Sequence, residues 1–292
     1  MIVQLLINGI IAGCIYALVA YGFALIYNTT RTFHFAHGAV YTFSVYLFYT
    51  ISAWGVPAWV VYLLTLAATA LLGMTIDEVI YRPLVRRKSS LLIRLLSSLG
   101  AYIIIINLIL MIYGNEMKVL NAKLQPTHKF GNVILSEVQL ITVAACVLIF
   151  VALVLLLRMT HLGKTVRAMR DDPELVSALG MNPQNVRRLV FALGSTLAGV
   201  AAILKGLDVG ADPNAGMVAF LSGTVAVIIA GVGVFNGVIL GALLVGILQS
   251  FAVWKFSAQW QDTVTFLLLI LFLLLRPEGI FGRRRRVEEI AA

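Results

Sequence analysis

Residues 138–157 read Val-Gln-Leu-Ile-Thr-Val-Ala-Ala-Cys-Val-Leu-Ile-Phe-Val-Ala-Leu-Val-Leu-Leu-Leu, a stretch without a single charge. Lipid offers the backbone no water, so a run of this length must close its hydrogen bonds internally, as a helix or as part of a closed barrel. Barrel strands alternate apolar and polar residues. This run does not, so it predicts a transmembrane helix. Working outward, comparable apolar segments occupy about 2–27, 39–54, 57–77, 95–113, 189–205, 217–234, 237–254 and 260–275. With 138–157 they make about nine spans, within a range of eight to ten. Residues 39–54 are short for a span, and Phe235-Asn236-Gly237 divides 217–234 from 237–254. The expected fold is all-α, a polytopic membrane helix bundle filling one transmembrane domain over 1–292.

Composition agrees. Of 292 residues 61% are hydrophobic and 12% charged, about half the charged share of a soluble protein. No polar stretch is long enough for an independent soluble core. The first segment begins without a basic n-region and lacks a clean cleavage site, so it reads as a retained span rather than a signal peptide. Cys14 and Cys146 both fall inside apolar runs, where small buried side chains are expected rather than a disulfide or metal ligands.

The net charge of +9 does not indicate nucleic acid. Sixteen of the 22 Lys and Arg residues fall in three clusters, Arg82–Arg94, Arg158–Arg188 and Arg276–Arg286, each between or after apolar runs. That is the positive-inside pattern of cytoplasmic loops. Three spans before the first cluster place the N-terminus outside. Two spans between the first and second clusters, and four before the third, keep all three clusters and the C-terminus inside.

Three features carry mechanism. Small residues four apart, Gly9, Gly13 and Ala17 in one stripe and Gly233, Gly237 and Gly241 in another, mark helix faces that pack closely where lipid supplies no hydrophobic drive. Ordinary bundle packing is the plainer meaning of these stripes; a sliding or subunit-facing surface is the sharper one. Second, His34-Phe35-Ala36-His37-Gly38 lies between the first two apolar segments. Polar groups at membrane depth face cavities, and short interrupted segments mark transport pathways. A loop closed by a helix cap is the alternative, and two histidines are too few for a metal site. Third, the second basic loop runs from Gly163 through Arg167, Arg170, Asp171, Asp172, Pro173, Glu174, Leu175, Ala178 and Leu179 to Gly180. Asp172 suits an N-cap, Pro173 the first helical position and Glu174 the first turn. Gly180 suits a helix end, and Asn182-Pro183 repeats the start signal. A short helix, a glycine turn and a helix entering the membrane are therefore expected.

Gly163-Lys164-Thr165 resembles the end of a phosphate loop, but position 158 is Arg where that motif needs Gly. No nucleophile elbow or zinc-helix spacing is present in the sequence. Neither an ATPase nor an enzyme is indicated.

Taken together, several segments resemble the permease subunits of branched-chain amino-acid ABC importers. The opening Asn8-Gly9, Gly13, Tyr16-Ala17-Leu18, Ala20 and Gly22 resembles the family's first helix, and Phe35-Ala36-His37-Gly38 its most recognisable motif. Gly163, Arg167-Ala168, Ala178, Gly180, Phe191, Leu197-Ala198-Gly199 and Ala201 follow its cytoplasmic loop and next span. Leu275-Arg-Pro-Glu-Gly-Ile-Phe-Gly282 follows its ending. His34 stands where the family has Asn, and Gly231-Val-Gly233 where a double glycine is usual. The resemblance implies a bacterial inner-membrane permease paired with a second related permease, two cytoplasmic ATPase subunits that hold ATP and Mg, and a periplasmic substrate-binding protein. No cofactor is implied in this chain. Arg167, Arg170–Leu175 and Ala178–Gly180 would then form the coupling helix that docks on an ATPase, and His34–Gly38 would line or gate the path.

Overall fold

The computed structural model describes residues 1–120, 126–131, 133–171, 176–177, 180, 182–231 and 233–282. It is a bundle of helices, α1 (Ile2–Thr30), α2 (His37–Ser52), α3 (Ala58–Ile76), α4 (Arg82–Arg86), α5 (Leu91–Tyr113), α6 (Glu137–Met159), α7 (His161–Asp171), α8 (Pro183–Val209), α9 (Ala215–Ala230), α10 (Phe235–Lys255) and α11 (Gln261–Leu275). A two-stranded hairpin, β1 (Thr127–Phe130) and β2 (Val133–Ser136), precedes α6.

Among the described residues seven helical stretches are long and apolar enough to cross a membrane. The other two expected spans are short. α2 and α9 each have 16 residues, about 24 Å at 1.5 Å per residue, against an apolar layer of about 30 Å. Both short helices follow a long one: α1 has 29 residues and α8 has 27.

The sequence explains most ends. Asn182 accepts a hydrogen bond from the Gln184 N–H and Pro183 opens α8, as the start signal predicts. Ser136 and Gln139 form a reciprocal capping box on α6, and the hairpin that leads into it was not anticipated. α3 extends beyond the expected end at 77: a π turn over Asp77–Tyr81 carries it into α4. The extension is held by ion pairs from Glu78 to Arg82 and Arg188 and from Asp77 to Arg187. The division expected at Phe235-Asn236-Gly237 falls earlier. Gly231 and Gly233 have φ of +105° and +94°, which only glycine adopts without strain, so the chain turns there and Phe235 already belongs to α10.

The packing is an exchange between two halves. α1 packs on α8, α9 and α10, whereas α8 packs on α1, α2 and α3; α2 touches α3 and α5 as α9 touches α10 and α11. The sets α1, α2, α3, α5 and α8, α9, α10, α11 thus repeat one arrangement. They run in opposite senses. α8 starts beside the end of α3, where Arg187 and Arg188 meet Asp77 and Glu78, and α1 ends at Arg31, whose guanidinium donates to the Arg170 carbonyl. This face is called the basic end below. The N-terminus of α1 lies at the opposite end, where Gln4 donates to and accepts from the backbone of Ile134 in the hairpin.

Small residues set the crossings. A Cβ on Gly9 would lie 2.6 Å from the Ile247 Cα, and one on Gly13 2.8 Å from the Leu243 Cα, so this stripe, continued by the fully buried Ala17, faces α10 inside the chain. Gly241 packs on the Ala226 carbonyl, and Gly237 on Ala230 and the Phe281 ring. Gly233 does not belong with them: it sits in the turn before α10 with no atom near its Cβ position. At the centre, Gly22 and Gly194 meet reciprocally, each Cβ position within 2.8 Å of the other's carbonyl oxygen.

Candidate translocation path

Each half has a junction where a long helix hands over to a short one. The two short helices cross at their first turns, with Gly38 and Gly216 backbone to backbone: a Cβ on Gly38 would lie 2.9 Å from the Gly216 oxygen. The crossing lies deep in the bundle, so each junction enters from one end and stops midway.

The junction toward the basic end runs from Arg31 to Ala36. Arg31, at φ 51°, ends α1 in a left-handed turn, and Thr32 donates from its N–H and its hydroxyl to the Thr30 hydroxyl and carbonyl. His34 and His37 are fully buried, their ring centroids 5.6 Å apart. His34 Nδ1 lies 2.8 Å from Tyr81 Oη, and Tyr81 donates to Ser98 Oγ at 2.5 Å, which also accepts from the Ala36 N–H at 3.1 Å. Because the Tyr81 proton goes to Ser98, the Nδ1–H of His34 is the donor to Tyr81; this tautomer is assigned from the network. Below it Phe191 touches His34 and Tyr81, with centroids at 5.2 and 5.6 Å, and the Arg187 guanidinium lies 6.0 Å from the Phe191 centroid. The Arg187–Asp77 ion pair is itself almost buried. On the other side Phe220 of α9 packs against Phe23, Phe33 and Phe35 at 5.2–6.0 Å. His37 lies against Gly22, so near that a Cβ there would come within 3.2 Å of its ring. Of the motif His34–Gly38, then, Phe35 joins an aromatic seal, Ala36 and Gly38 permit close backbone approach, and the two histidines are packed inside. None of the five lines the cavity described next.

The junction toward the opposite end, Gly210–Asn214, is open. Its backbone is tied down: Lys118 and Ala211 exchange hydrogen bonds at 2.8 and 2.9 Å, and Thr42 and Tyr46 donate to the carbonyls of Pro213 and Ala211. Beside it lies a cavity of about 270 Å³. Tyr16 of α1, Tyr41 of α2, Lys205 of α8, Asp212 and Gln261 of α11 bring polar groups to its wall, and Ile15, Val218 and Ala219 line its apolar side. Behind them runs a buried network: Gln261 donates to Tyr16 Oη at 3.1 Å and to Gln249 Oε1 at 3.0 Å, and Gln249 donates to Ser222 and Thr265. Sequence reading missed all five polar residues. The available signal was Lys205, one of the few basic residues outside the three clusters and set in an otherwise apolar run.

At the basic end, residues 161–171 form a helix not foreseen there. Gly163, Val166 and Met169 make its buried face. Gly163 is needed because α7 lies directly on the Leu157 carbonyl, which also accepts from Arg167. Arg170 donates to the Gly233 carbonyl at 3.1 Å and to Asp171, and that hydrogen bond holds the Asp171 carboxyl below the usual carboxylate range. Asp172, Pro173, Glu174, Leu175, Ala178 and Leu179 lie outside the described residues. Gly180 has φ +79° and its N–H donates to the Ser177 carbonyl at 3.0 Å.

The chain's ending is a latch. Gly279 turns at φ +79°, and the N–H groups of Ile280 and Phe281 donate to the Ile229 and Ala230 carbonyls, satisfying the end of α9 where Gly231 breaks it.

A family model described as branched-chain amino acid transport system / permease component matches residues 5–273. The chain belongs to that family. The permease is 34% identical to the high-affinity branched-chain amino acid transport system permease protein BraD of Pseudomonas aeruginosa, covering 96% of this chain and 95% of that one. It is 30% identical to the permease protein LivH of Escherichia coli, over 96% and 95%. Among solved structures, PsaBC from Streptococcus pneumoniae in complex with Fab is similar in fold, with a TM-score of 0.53 at 14% identity, covering 98% of this permease and 94% of that chain. A multi-pass transporter subunit of this family is not an enzyme.

Proposed function

We propose that this permease is one of two related membrane subunits of an ATP-driven importer for branched-chain or similar hydrophobic amino acids in a bacterial inner membrane. By the positive-inside rule its basic end faces the cytoplasm, with the C-terminus, and its N-terminus and cavity face the periplasm. A periplasmic binding protein delivers substrate there. Of two ATPase subunits, which hold ATP and Mg, one docks on the region from α7 to Gly180. The substrate class follows that of its relatives BraD and LivH.

The observation that carries this reading is the wiring of Arg170. From one surface helix it reaches the turn before α10 through the Gly233 carbonyl, while its own carbonyl holds Arg31 at the end of α1. A push on α7 is thereby felt by both helices that flank the crossing of α2 and α9. Closure of the ATPases moves α7, the two halves shift against each other, and the open junction changes sides.

The test is purification of the tagged permease from its host in mild detergent, followed by leucine uptake into vesicles. A stoichiometric second permease and ATPase subunits, with uptake that stops without ATP, are expected. Isolation of the permease alone with ATP-independent uptake would overturn the reading.

A further inference from the structure

Lys205 is the residue that the architecture does not use. It sits near the end of a membrane-crossing helix and lines the cavity; among the described residues its ammonium makes no ion pair or hydrogen bond, and the Asp208 carboxylate, three residues on, acts on it through charge alone. Taking an ammonium out of water is costly unless an anionic group answers it directly. An anionic group held at Lys205 would offset that.

The surroundings narrow the ligand. Asn214, the N-cap of α9, and Ala215, its first residue, also line the cavity; their N–H groups already donate to Asp212, so the helix end adds to the attraction for a carboxylate through its dipole. The Tyr41 hydroxyl, on a residue 3% exposed, has no hydrogen-bond partner among the described residues and is free to donate. The complementary charge lies on the same wall. Asp212 accepts the Asn214 N–H at 2.8 Å through Oδ1, which leaves Oδ2 for a bound ammonium, and the last carbonyls of α8 end beside it at Val209 and Gly210. Ile15, Val218 and Ala219 offer an apolar side wall. The volume of about 270 Å³ lies just under the usual span of about 300–1,000 Å³ for small-molecule sites, which suits one small amino acid.

We propose that this cavity is a binding site in the permease itself for a zwitterionic, aliphatic α-amino acid, with the carboxylate on Lys205 and the α9 N-terminus and the ammonium on Asp212. The proposal rests on the importer reading for its substrate class. It adds a second selection step inside the membrane, after release from the binding protein.

The experiment is leucine uptake and binding-protein-stimulated ATP hydrolysis by the complete complex in vesicles, for wild type, Lys205→Met and Lys205→Arg. Lys205→Met is expected to lose uptake tenfold or more while ATP hydrolysis stays at the wild-type level, and Lys205→Arg is expected to keep most of both. Wild-type uptake by Lys205→Met would overturn the site. So would equal loss of uptake and ATP hydrolysis in both variants, which marks a merely structural lysine; Asp212→Asn, at a position exposed to the cavity, then gives an independent check, and unchanged uptake there confirms the loss of the proposal. ATP-independent uptake by wild type strikes the importer reading instead, whatever Lys205→Met does.

Discussion

The two junctions share a plan and differ in what fills them. Both join a long helix to a 16-residue helix, and both end at the glycine crossing of Gly38 and Gly216. Between α1 and α2 the space is packed with His34, His37, Phe33, Phe35, Phe220 and Phe191, and His34 Nδ1 and the Ala36 N–H are tied into it through Tyr81 and Ser98. Between α8 and α9 the space holds a cavity with a lysine that makes no direct ion pair and a half-used carboxylate. A repeated backbone therefore does not dictate a repeated environment; side chains decide which end is shut. A permease with one sealed and one open junction is accessible from one side only, which is what alternating access requires of each of its states.

The largest effect is expected where the halves touch. Gly216→Val would drive a side chain into the Gly38 carbonyl and Thr42 hydroxyl, and backbone cannot yield as a side chain can. No monodisperse complex should be recovered by size-exclusion chromatography, whereas Gly100→Val, with no atom near its Cβ position, should assemble normally. Equal recovery of both would break the idea of a shared crossing.

Next comes the sealed junction's charge pair. Arg187→Ala leaves the Asp77 carboxylate, 3% exposed, buried without its partner, at a cost of about 3–5 kcal/mol. Thermal unfolding in detergent should drop sharply, and adding Asp77→Asn should recover part of the loss. A smaller effect is expected from Tyr81→Phe, which removes the hydroxyl between His34 and Ser98 and leaves buried polar atoms unmatched, about 1–3 kcal/mol. The same unfolding measurement checks it; an unchanged midpoint would mean that the network does not hold the seal. Gly180→Val should cost least, about 1–2 kcal/mol for a left-handed backbone, yet lower leucine uptake relative to ATP hydrolysed. Unchanged coupling would remove Gly180 from the docking region.

The helices were legible because lipid enforces a simple rule: an apolar run must be helical, and Val138–Leu157 allows no other reading. The cap at Asn182 was legible for the same local reason. The length of α2 and α9 was less so, since composition cannot show that a run of small and aromatic residues crosses a neighbour midway. His34–Gly38 drew attention as a motif, yet its geometry, a seal rather than a wall, depends on Tyr81, Ser98 and Phe191 from distant parts of the chain. The cavity was hidden for a like reason: Tyr16, Lys205, Asp212 and Gln261 meet only because α1, α8 and α11 converge. The ion pair of Asp77 with Arg187 joins residues 110 positions apart, beyond any local pattern.

The most direct measurement compares the two junctions in one complex. Val218→Cys in the cavity and Ala36→Cys in the sealed junction are introduced separately; the native Cys14 and Cys146 are buried. A small membrane-impermeant maleimide is then applied from each side without nucleotide. Labelling of Val218→Cys from the side opposite the basic end, with Ala36→Cys unlabelled from either side, is the predicted result. Ready labelling of Ala36→Cys from the basic end, with Val218→Cys protected, would contradict it.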